Sequence, residues 1–170
     1  MVSDIQGHMA TLRHLAAGLT TCVEFGTRTG RSTVALLAGL ANYGGTLHSY
    51  DLNDCTPAVP ASVVLGYAVW NFTQADTTTL PDIPECDLLF IDTLHDARVV
   101  TAELAHAHRV ARWIILHDVV LFGSRDETTG HPPGIMAPIL HFLAAHTGEW
   151  KVAEFYEHDC GLLVLGRVFV

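Results

Sequence analysis

The stretch LLFIDTLHD, residues 88–96, carries two carboxylates and an imidazole at the end of an apolar run. Asp92 ends that run, and His95 follows three residues later. A histidine in this place could take a proton from a bound hydroxyl group, because its ordinary pKa lies near neutrality. The competing interpretation is that His95 belongs to the polar start of the next helix. The stretch therefore predicts either a reacting group or a helix cap.

A second apolar run, WIILHD at residues 113–118, also ends in polar groups. If the two runs are neighbouring parallel strands, Asp92 and Asp118 lie side by side and repel each other unless a cation lies between them. Mg²⁺ or another divalent cation with oxygen ligands would fit there. His117 is a further candidate ligand, or else a hydrogen-bonded histidine at the rim. Strand alternation would turn His117 away from Asp118 unless the strand unwinds.

The stretch EFGTRTGRS, residues 24–32, predicts a strand, a tight glycine turn and a helix start. Gly26 and Gly30 allow close approach of a ligand, and the helix N-terminus offers amide donors to an anionic group such as a carboxylate. Ser32 could add a hydroxyl. The G-x-x-x-G spacing differs from that of dinucleotide-binding turns, and no G-K-[ST] motif follows. The alternative is a plain glycine turn with Glu24 as an exposed edge residue.

Two more acids follow apolar or mixed segments. Asp51, in HSYDLND, lies 25 residues after Gly26, where an acid can accept hydrogen bonds from both ribose hydroxyls of an adenosine-type ligand. Asp76 ends NFTQAD and could receive the exocyclic amine of adenine. The alternative for Asp76 is a solvated turn before Thr77.

The elements that must position these residues alternate along the chain. Apolar runs without polar alternation, which suit strands covered on both faces, occupy residues 21–25, 46–50, 87–91 and 112–116. Helical spacing covers residues 5–17, 31–40, 97–111 and 134–146, and residues 150–170 are typical of a hairpin. This order predicts an α/β fold in one domain, residues 1–170. We expect a Rossmann-like open, mostly parallel sheet with helices on both faces and a C-terminal antiparallel hairpin.

Composition limits the function classes. Hydrophobic residues make up 49% of the chain and charged residues 16%, and the formal net charge is −9. We therefore expect a folded protein whose partner is a small molecule, with no nucleic acid and no membrane. The four cysteines include no C-x-x-C pair, which argues against a disulfide framework or a structural zinc site. The N-terminus lacks signal-peptide features, so we expect a cytoplasmic location.

The other histidines and one loop remain. His8, His14, His141 and His146 fit helix surfaces. The polar loop at residues 122–134 follows the Asp118 strand end and is long enough to fold over a site as a lid. Arg125 or His131 could touch a substrate there, although a merely mobile loop is equally consistent.

Taken together, EFGTRTGRST, HSYDLND, DLLFIDTLHD and IILHDVVLFG resemble the class I S-adenosylmethionine-dependent methyltransferases. The nearest branch is the small metal-dependent sugar and natural-product O-methyltransferases. The resemblance covers nearly the whole chain and implies S-adenosylmethionine as cofactor, with Mg²⁺ or another divalent cation as a second one. By this resemblance the cofactor-binding residues are Glu24, Gly26, Thr27, Gly30 and Ser32 at the methionine part, Asp51 and Leu52 at the ribose, and Asp76 and Thr77 at the adenine side.

The same resemblance implies that Asp92 and Asp118 hold the metal and that His95 is the general base. The chain departs from the pattern in two places. His117 occupies a position that is often acidic in metal-dependent relatives. The segment from Leu52 to Val69 is short and contains Pro57 and Pro60, which affects the adenine pocket.

Two function hypotheses follow. The first is an O-methyltransferase that moves a methyl group to a hydroxyl of a sugar or other small polyol, assisted by a divalent metal. The second is a non-catalytic S-adenosylmethionine- or nucleotide-binding module of a larger assembly, which the shortness of the chain favours. A homodimer would supply the missing acceptor-binding surface. A nicotinamide-dependent dehydrogenase is disfavoured, because the glycine spacing is wrong and no substrate domain follows.

Overall fold

A computed structural model describes residues 4–59 and 67–168 of the chain. They form a seven-stranded sheet with helices on both faces. The strands are β1 (Thr21–Phe25), β2 (Thr46–Asp51), β3 (Val69–Gln74), β4 (Cys86–Ile91), β5 (Val110–His117), β6 (Trp150–Tyr156) and β7 (Leu162–Arg167). The α-helices are α1 (Met9–Ala16), α2 (Arg31–Leu40), α3 (Ala97–Leu104) and α4 (Met136–Ala145).

The strand order is β3-β2-β1-β4-β5-β7-β6. The first five strands of this order are parallel, and β7 runs antiparallel between β5 and β6. This confirms the predicted Rossmann-like sheet with its C-terminal antiparallel hairpin. The order reverses between β1 and β4, and in open α/β sheets the ligand crevice lies outside the carboxyl ends of the strands at such a switch point.

The sheet separates two apolar layers. Val23, Phe25, Leu89 and Ile114 point to the layer that contains α3 and α4. Cys22, Leu88, Phe90 and Ile115 point to the layer that contains α1 and α2. Because central strands bury both faces, they consist mainly of apolar residues. This burial anchors the strand ends that carry the polar groups.

The structure differs from the sequence-based elements in a few places. β3 is an edge strand whose residues are mostly exposed, so it has no long apolar run. The helix predicted at 97–111 ends as an α-helix at Leu104, continues as a 3₁₀-helix over Ala105–Arg109, and gives way to β5. Pro57 lies in a 3₁₀-helix at Thr56–Ala58, and Pro60 lies outside the described residues.

His8 was predicted on a helix surface, and this prediction is wrong. Its side chain is buried, and Nε2 lies 3.0 Å from the carbonyl oxygen of His158 and 3.3 Å from that of Asp159. The turn between β6 and β7 therefore packs against the N-terminal segment, which sequence spacing could not show.

Among the described residues, no helix combines the length and the apolar character needed to cross a bilayer. All four cysteines lie in the described part of the chain, and none forms a disulfide bond.

Candidate active site

A cavity of about 470 Å³ lies at the carboxyl ends of the parallel strands. Its walls come from the loops after β1, β2, β3 and β4, from α3, and from the long loop after β5. The lining residues are Gly26, Arg28, Asp51, Leu52, Asn53, Ala75, Asp76, Thr77, Thr78, Asp92, Thr93, Leu94, His95, Val99 and Glu127. Predicted residues from four separate stretches of sequence thus meet in one place.

The glycine turn after β1 is shaped by close backbone packing. Gly26 and Gly30 have φ values of +89° and +73°, which glycine adopts without strain. A Cβ atom at Gly26 would lie 2.0 Å from the carbonyl oxygen of Asp92. The glycine therefore lets the turn touch the end of β4, so that the floor of the cavity is continuous from one strand end to the next.

Glu24 is fully buried below this turn and does not line the cavity. Its carboxylate accepts hydrogen bonds from the hydroxyls of Ser32 (2.7 Å), Thr33 (2.8 Å) and Ser49 (2.6 Å). Burial raises the pKa of Glu24 to about 7, although these hydrogen bonds oppose the rise. Glu24 and Ser32, both predicted to hold the methionine part of a cofactor, are bonded to each other and join β1, β2 and the start of α2.

Thr27 lies in the turn, where its Oγ1 is buried and has no hydrogen-bond partner among the described residues. Such an atom calls for a ligand or solvent group, because buried polar atoms are nearly always bonded. Thr27 and Ser32 border a small recess next to the cavity, together with Gly26 and Asp92.

Asp51 ends β2 and faces the cavity. Its Oδ2 accepts hydrogen bonds from the backbone N–H groups of Thr27 (3.0 Å) and Arg28 (2.9 Å), and its Oδ1 from that of Asn53 (2.9 Å). Partial burial opposes ionisation, but the three backbone donors outweigh it and lower the pKa of Asp51. The side chain is thus a fixed anion with lone pairs left for a hydroxylated ligand.

Asp76 and Thr77, which follow β3, also line the cavity. Asp76 is exposed and caps a 3₁₀-helix, because its Oδ1 accepts from the backbone N–H of Thr78 at 2.9 Å. Thr77 is buried and donates its hydroxyl to Glu103 at 2.6 Å.

Glu103 was not identified from the sequence. Its buried carboxylate also accepts from the hydroxyl of Thr93, at 2.8 Å and 3.0 Å, and so joins the loops after β3 and β4 to α3. Burial raises the pKa of Glu103 to about 7. Its partners lie 26 and 10 residues away in sequence, and a single glutamate in an amphipathic helix gives no signal of such a role.

Four residues form an acid–histidine cluster at the ends of β4 and β5: Asp92, His95, His117 and Asp118. The Nε2 atom of His95 lies 3.1 Å from Asp118 Oδ2 and 3.6 Å from Asp92 Oδ1. The Nδ1 atom of His117 lies 3.2 Å from Asp92 Oδ1 and 3.4 Å from Asp118 Oδ2. The predicted neighbourhood of Asp92 and Asp118 is therefore present, with an imidazole on either side.

Both side chains of the His117–Asp118 pair enter this cluster because β5 ends between them. Asp118 has a φ of +60°, in the left-handed region that L-residues seldom adopt. The change of backbone direction turns Asp118 to the same side as His117, which regular strand alternation would not allow. β5 thus unwinds at Asp118, which the sequence analysis required if His117 and Asp118 were to share one site.

Within the cluster, the acids and the histidines stabilise each other's charged forms. Burial by itself would lower the pKa of His117, but Asp118 and Asp92 outweigh it and raise the pKa to about 10. Asp92, although desolvated, has its pKa held well below the usual range by the two histidines. The pKa of His95 is raised in the same way by Asp92, Asp118 and Glu127 against the effect of burial.

The cluster also fits a divalent cation. Asp92, His117 and Asp118 each offer one ligand atom, and these atoms lie within 4.8 Å of one another. Asp118 Oδ1 is buried and has no partner among the described residues. His117 Nε2 lies 3.2 Å from the carbonyl oxygen of Asp159 and donates to it, so the Nδ1 atom that faces the acids carries either a second proton or a lone pair for a metal.

The loop at residues 122–134 folds over one side of the cavity. Glu127 lines the cavity, and its Oε2 lies 2.9 Å from His95 Nδ1. Phe122 stacks on the His95 ring, with centroids 5.0 Å apart and planes 15° apart. Arg125 and His131, the loop residues predicted to touch a substrate, do not line this cavity. The sequence prediction identified the loop but not its contacting residues.

A family model described as a methyltransferase domain matches residues 23–119, which is more than half of the chain. No protein of curated function matches the sequence.

Several solved structures have a similar fold. An O-methyltransferase from Bacillus cereus in complex with S-adenosylhomocysteine is 18% identical, with a TM-score of 0.72, and the match covers 99% of this chain and 84% of that one. The O-methyltransferase TomG from Streptomyces achromogenes, involved in tomaymycin synthesis and solved with S-adenosylmethionine, is 17% identical (TM-score 0.65, 96% and 80% covered).

The N-methyltransferase NodS from Bradyrhizobium japonicum, in complex with S-adenosylhomocysteine, is 14% identical (TM-score 0.65, 96% and 87% covered). At these identities the likeness concerns the fold, which supports transfer to nitrogen as well as to oxygen in different proteins. The acceptor must therefore be argued from the site.

Proposed function

Because this chain belongs to the methyltransferase-domain family, we propose that it moves the methyl group of S-adenosylmethionine to a hydroxyl oxygen of a sugar or other small polyol. The main support for this proposal is the cavity at the carboxyl ends of the parallel strands. It joins a glycine turn and Asp51, suited to an adenosine-type ligand, to a cluster of acids and histidines suited to a hydroxyl group.

Two polar groups that can still accept or donate hydrogen bonds, the Asp51 carboxylate and Thr27 Oγ1, support the proposed cofactor site. Asp51 presents a fixed carboxylate to the cavity beside Leu52, where ribose hydroxyls could donate to it. Thr27 Oγ1, buried and without a described partner, would face the methionine part. S-adenosylmethionine, when bound, supplies a methyl group on a positively charged sulfur. The protein's part is to orient it and exclude water.

The acceptor end is supported by the cluster of Asp92, His95, His117 and Asp118. We propose that Asp92, Asp118 and His117 Nδ1 hold Mg²⁺ or another divalent cation. Such a cation would lower the pKa of an acceptor hydroxyl and orient a neighbouring oxygen. The carboxylates suit a hard ion, whereas the imidazole also suits transition metals.

The proposed reaction is a single methyl transfer from sulfur to oxygen. A lone pair of the acceptor oxygen forms a bond to the methyl carbon while the carbon–sulfur bond breaks, and the sulfonium becomes a neutral thioether. The proton of the acceptor hydroxyl passes to Nε2 of His95 when that nitrogen is unprotonated; the atom is buried and lies 3.1 Å from Asp118 Oδ2. General-base catalysis of this kind contributes roughly 10²- to 10⁴-fold to a rate.

Calorimetric titration with S-adenosylmethionine and S-adenosylhomocysteine tests the cofactor site. We expect micromolar binding that weakens at least tenfold in Asp51→Asn. The matched control is Asp54→Asn, which removes an exposed acid from the same loop, one that caps a turn and lies outside the cavity. Folded wild-type protein that binds neither compound would overturn the proposal. Binding without turnover on a library of hydroxylated acceptors would favour a non-catalytic module instead.

The same instrument tests the metal. We expect titration of Mg²⁺ or Mn²⁺ into the cofactor-bound protein to release heat that Asp92→Asn abolishes and Asp54→Asn leaves unchanged. A wild-type protein that shows no heat with either ion, yet methylates an acceptor in the presence of a chelator, would rule out metal assistance.

We propose the partners and the location from charge and chemistry. A net charge of −9 fits a small hydroxylated acceptor and opposes nucleic acid or an anionic membrane. Four cysteines without a disulfide bond fit the reducing cytoplasm. We also propose a homodimer that adds acceptor-binding surface, and light scattering coupled to size-exclusion chromatography would show whether the mass is twice 18.5 kDa.

A further inference from the structure

A second cavity, the α3–α4 groove, lies at the opposite end of the sheet from the candidate active site. Its volume is about 350 Å³, and its walls come from α3, α4, the 3₁₀-helix Ala105–Arg109 and the paired residues Trp150 and Arg167. Trp150 begins β6 and Arg167 ends β7, which runs antiparallel to β5, so both lie at the amino ends of the parallel strands. Among the described residues, none lines both cavities. The groove is therefore a separate site.

One wall of the groove is aromatic. The rings of Phe142 and His146, four residues apart at the end of α4, have centroids 4.4 Å apart and planes 31° apart. Phe142 also lies 6.2 Å from the Trp150 ring. His146 is held in place, because its Nδ1 donates to the carbonyl oxygen of Phe142 at 2.9 Å. Three adjoining rings offer a surface against which a flat apolar molecule can pack.

Arg167 supplies a positive charge beside this wall. Its guanidinium carbon lies 5.5 Å from the centroid of the Trp150 ring, and Nη1 donates to the carbonyl oxygen of Val110 at 2.6 Å. In the described part of the chain, no carboxylate forms an ion pair with Arg167, and Glu149, the acid that lines the groove, is exposed. Most N–H donors of Arg167 therefore remain available, and a guanidinium fits the two oxygens of a carboxylate.

The size and lining of the groove fit a small molecule. Ligand sites usually enclose about 300–1,000 Å³ and combine apolar walls with a few polar groups. Leu104, Ala107 and Pro138 continue the apolar lining beside the aromatic wall, and Arg167 adds a permanent charge. Because its volume of about 350 Å³ lies at the lower end of this range, the groove suits a molecule of one or two fused rings.

We propose that the α3–α4 groove binds a small planar aromatic carboxylate, whose rings lie along Phe142 and Trp150 and whose carboxylate pairs with the Arg167 guanidinium. Only binding is involved, and no bond is made or broken. The inference does not depend on the proposed methyl transfer, because the groove and the candidate active site have no lining residue in common among those described.

Calorimetric titration with 2-naphthoate, a two-ring carboxylate, tests this site. We expect wild-type protein to bind it with a Kd on the order of 100 μM. Ala145→Trp, which fills the groove from α4, should weaken binding about tenfold. The matched control is Ala144→Trp, at a neighbouring exposed alanine of the same helix that does not line the groove. It should leave the Kd unchanged.

The charge is tested with Arg167→Gln and with 2-naphthamide, the uncharged counterpart of the probe. We expect Arg167→Gln to weaken binding of 2-naphthoate about tenfold, because a charge-assisted pair is lost, and to leave the weaker binding of 2-naphthamide unchanged. In nitrogen-15 NMR, the indole N–H signal of Trp150 should shift as 2-naphthoate is added to wild-type protein. This signal reports the position of the ligand without any variant.

Folded wild-type protein that gives neither heat nor a Trp150 shift with 2-naphthoate would overturn the inference. Equal affinity in Ala145→Trp and Ala144→Trp would do the same, because the ligand would then lie elsewhere. A wild-type mass of two chains that Ala145→Trp reduces to one would mean that a second copy of the chain covers the groove instead. If 2-naphthoate binds as expected but S-adenosylhomocysteine does not bind, the proposed methyl transfer fails and the groove remains a binding site.

Discussion

Glu24 and Glu103 show how single residues support the cavity without lining it. Each is fully buried, and among the described residues each accepts hydrogen bonds from hydroxyl groups and from no Lys or Arg. One joins the glycine turn to β2, and the other joins the loops after β3 and β4. Because a buried carboxylate without a cationic partner favours its protonated form, burial raises the pKa of both to about 7.

These two residues predict how stability depends on pH. Below pH 4.5 a glutamate is protonated in both states, whereas between pH 4.5 and 7 the unfolded chain releases a proton that the folded protein keeps. The free energy of unfolding therefore falls as pH rises, by on the order of 3 kcal/mol for each residue. In Glu24→Gln we expect the fall in the free energy of unfolding to be smaller by the contribution of one glutamate, on the order of 3 kcal/mol. Urea denaturation at pH 5 and pH 8 measures it.

The control for this prediction is Glu149→Gln, an exposed glutamate whose replacement should leave the slope unchanged. A slope in Glu24→Gln equal to that of wild type would mean that Glu24 is ionised in the folded protein throughout this range.

At the scale of elements, α3 starts directly after His95 and its cap is part of the site. Asp96 is the N-cap residue, and its Oδ1 accepts from the backbone N–H of Arg98 at 2.7 Å. The Arg98 guanidinium also pairs with Asp96, but its side chain is 92% exposed, so the ion pair adds little. The cap fixes where the helix begins and therefore where His95 can lie.

We expect Asp96→Ala to destabilise the protein by about 1 kcal/mol, the ordinary loss for a missing cap. Asp96→Asn, which keeps an acceptor oxygen, should regain most of that loss, and Arg98→Ala should change stability by less than about 0.5 kcal/mol. Guanidinium denaturation of the three variants measures these values. Equal losses in Asp96→Ala and Arg98→Ala would assign the effect to the ion pair instead.

Most elements could be predicted because their signals are local. β1 and α2 have the predicted limits, and three further strands follow from uninterrupted apolar runs. β3 could not be found in this way, since an edge strand buries one face at most and its side chains remain partly exposed. α3 ended early because β5 begins at Val110, a competition that helical spacing alone does not reveal.

The site residues at or just after the ends of parallel strands could be predicted from the sequence. Asp51, Asp92, His95 and Asp118 meet as expected because parallel strands bring their carboxyl ends together. Glu103, Glu127 and His8 were missed, since each acts through a partner that is distant in sequence and gives no pattern of its own. Contacts of this kind depend on loop conformation, which spacing does not determine.

At the scale of the whole molecule, the cavity draws on every loop at one end of the parallel sheet. A ligand that binds there contacts loops after β1, β2, β3 and β4 together. Unfolding destroys all of these contacts at once. Ligand binding should therefore stabilise the whole described fold and not one segment.

We expect S-adenosylhomocysteine at a hundred times its Kd to stabilise the protein by about 2.7 kcal/mol. For a protein of 170 residues this raises Tm by roughly 5–10 °C. At the same ligand concentration, a Kd at least tenfold weaker in Asp51→Asn should reduce the stabilisation to about 1.4 kcal/mol or less, and the shift should be absent with NAD. An equal shift with NAD would indicate a general nucleotide pocket.

The placement of β7 between β5 and β6 has a consequence for how the chain is made on the ribosome. The edge of β5 that faces β7 pairs with it through Trp113–His117. This edge therefore has no partner in the nascent chain until residues 162–166 have emerged from the exit tunnel. During that interval β5, whose residues Ile114–His117 are buried in the finished fold, offers its backbone to any other strand. The partner of His117 Nε2, the Asp159 carbonyl, arrives in the same late stretch. Synthesis therefore leaves the sheet and one imidazole of the cluster unfinished together until β7 has been translated.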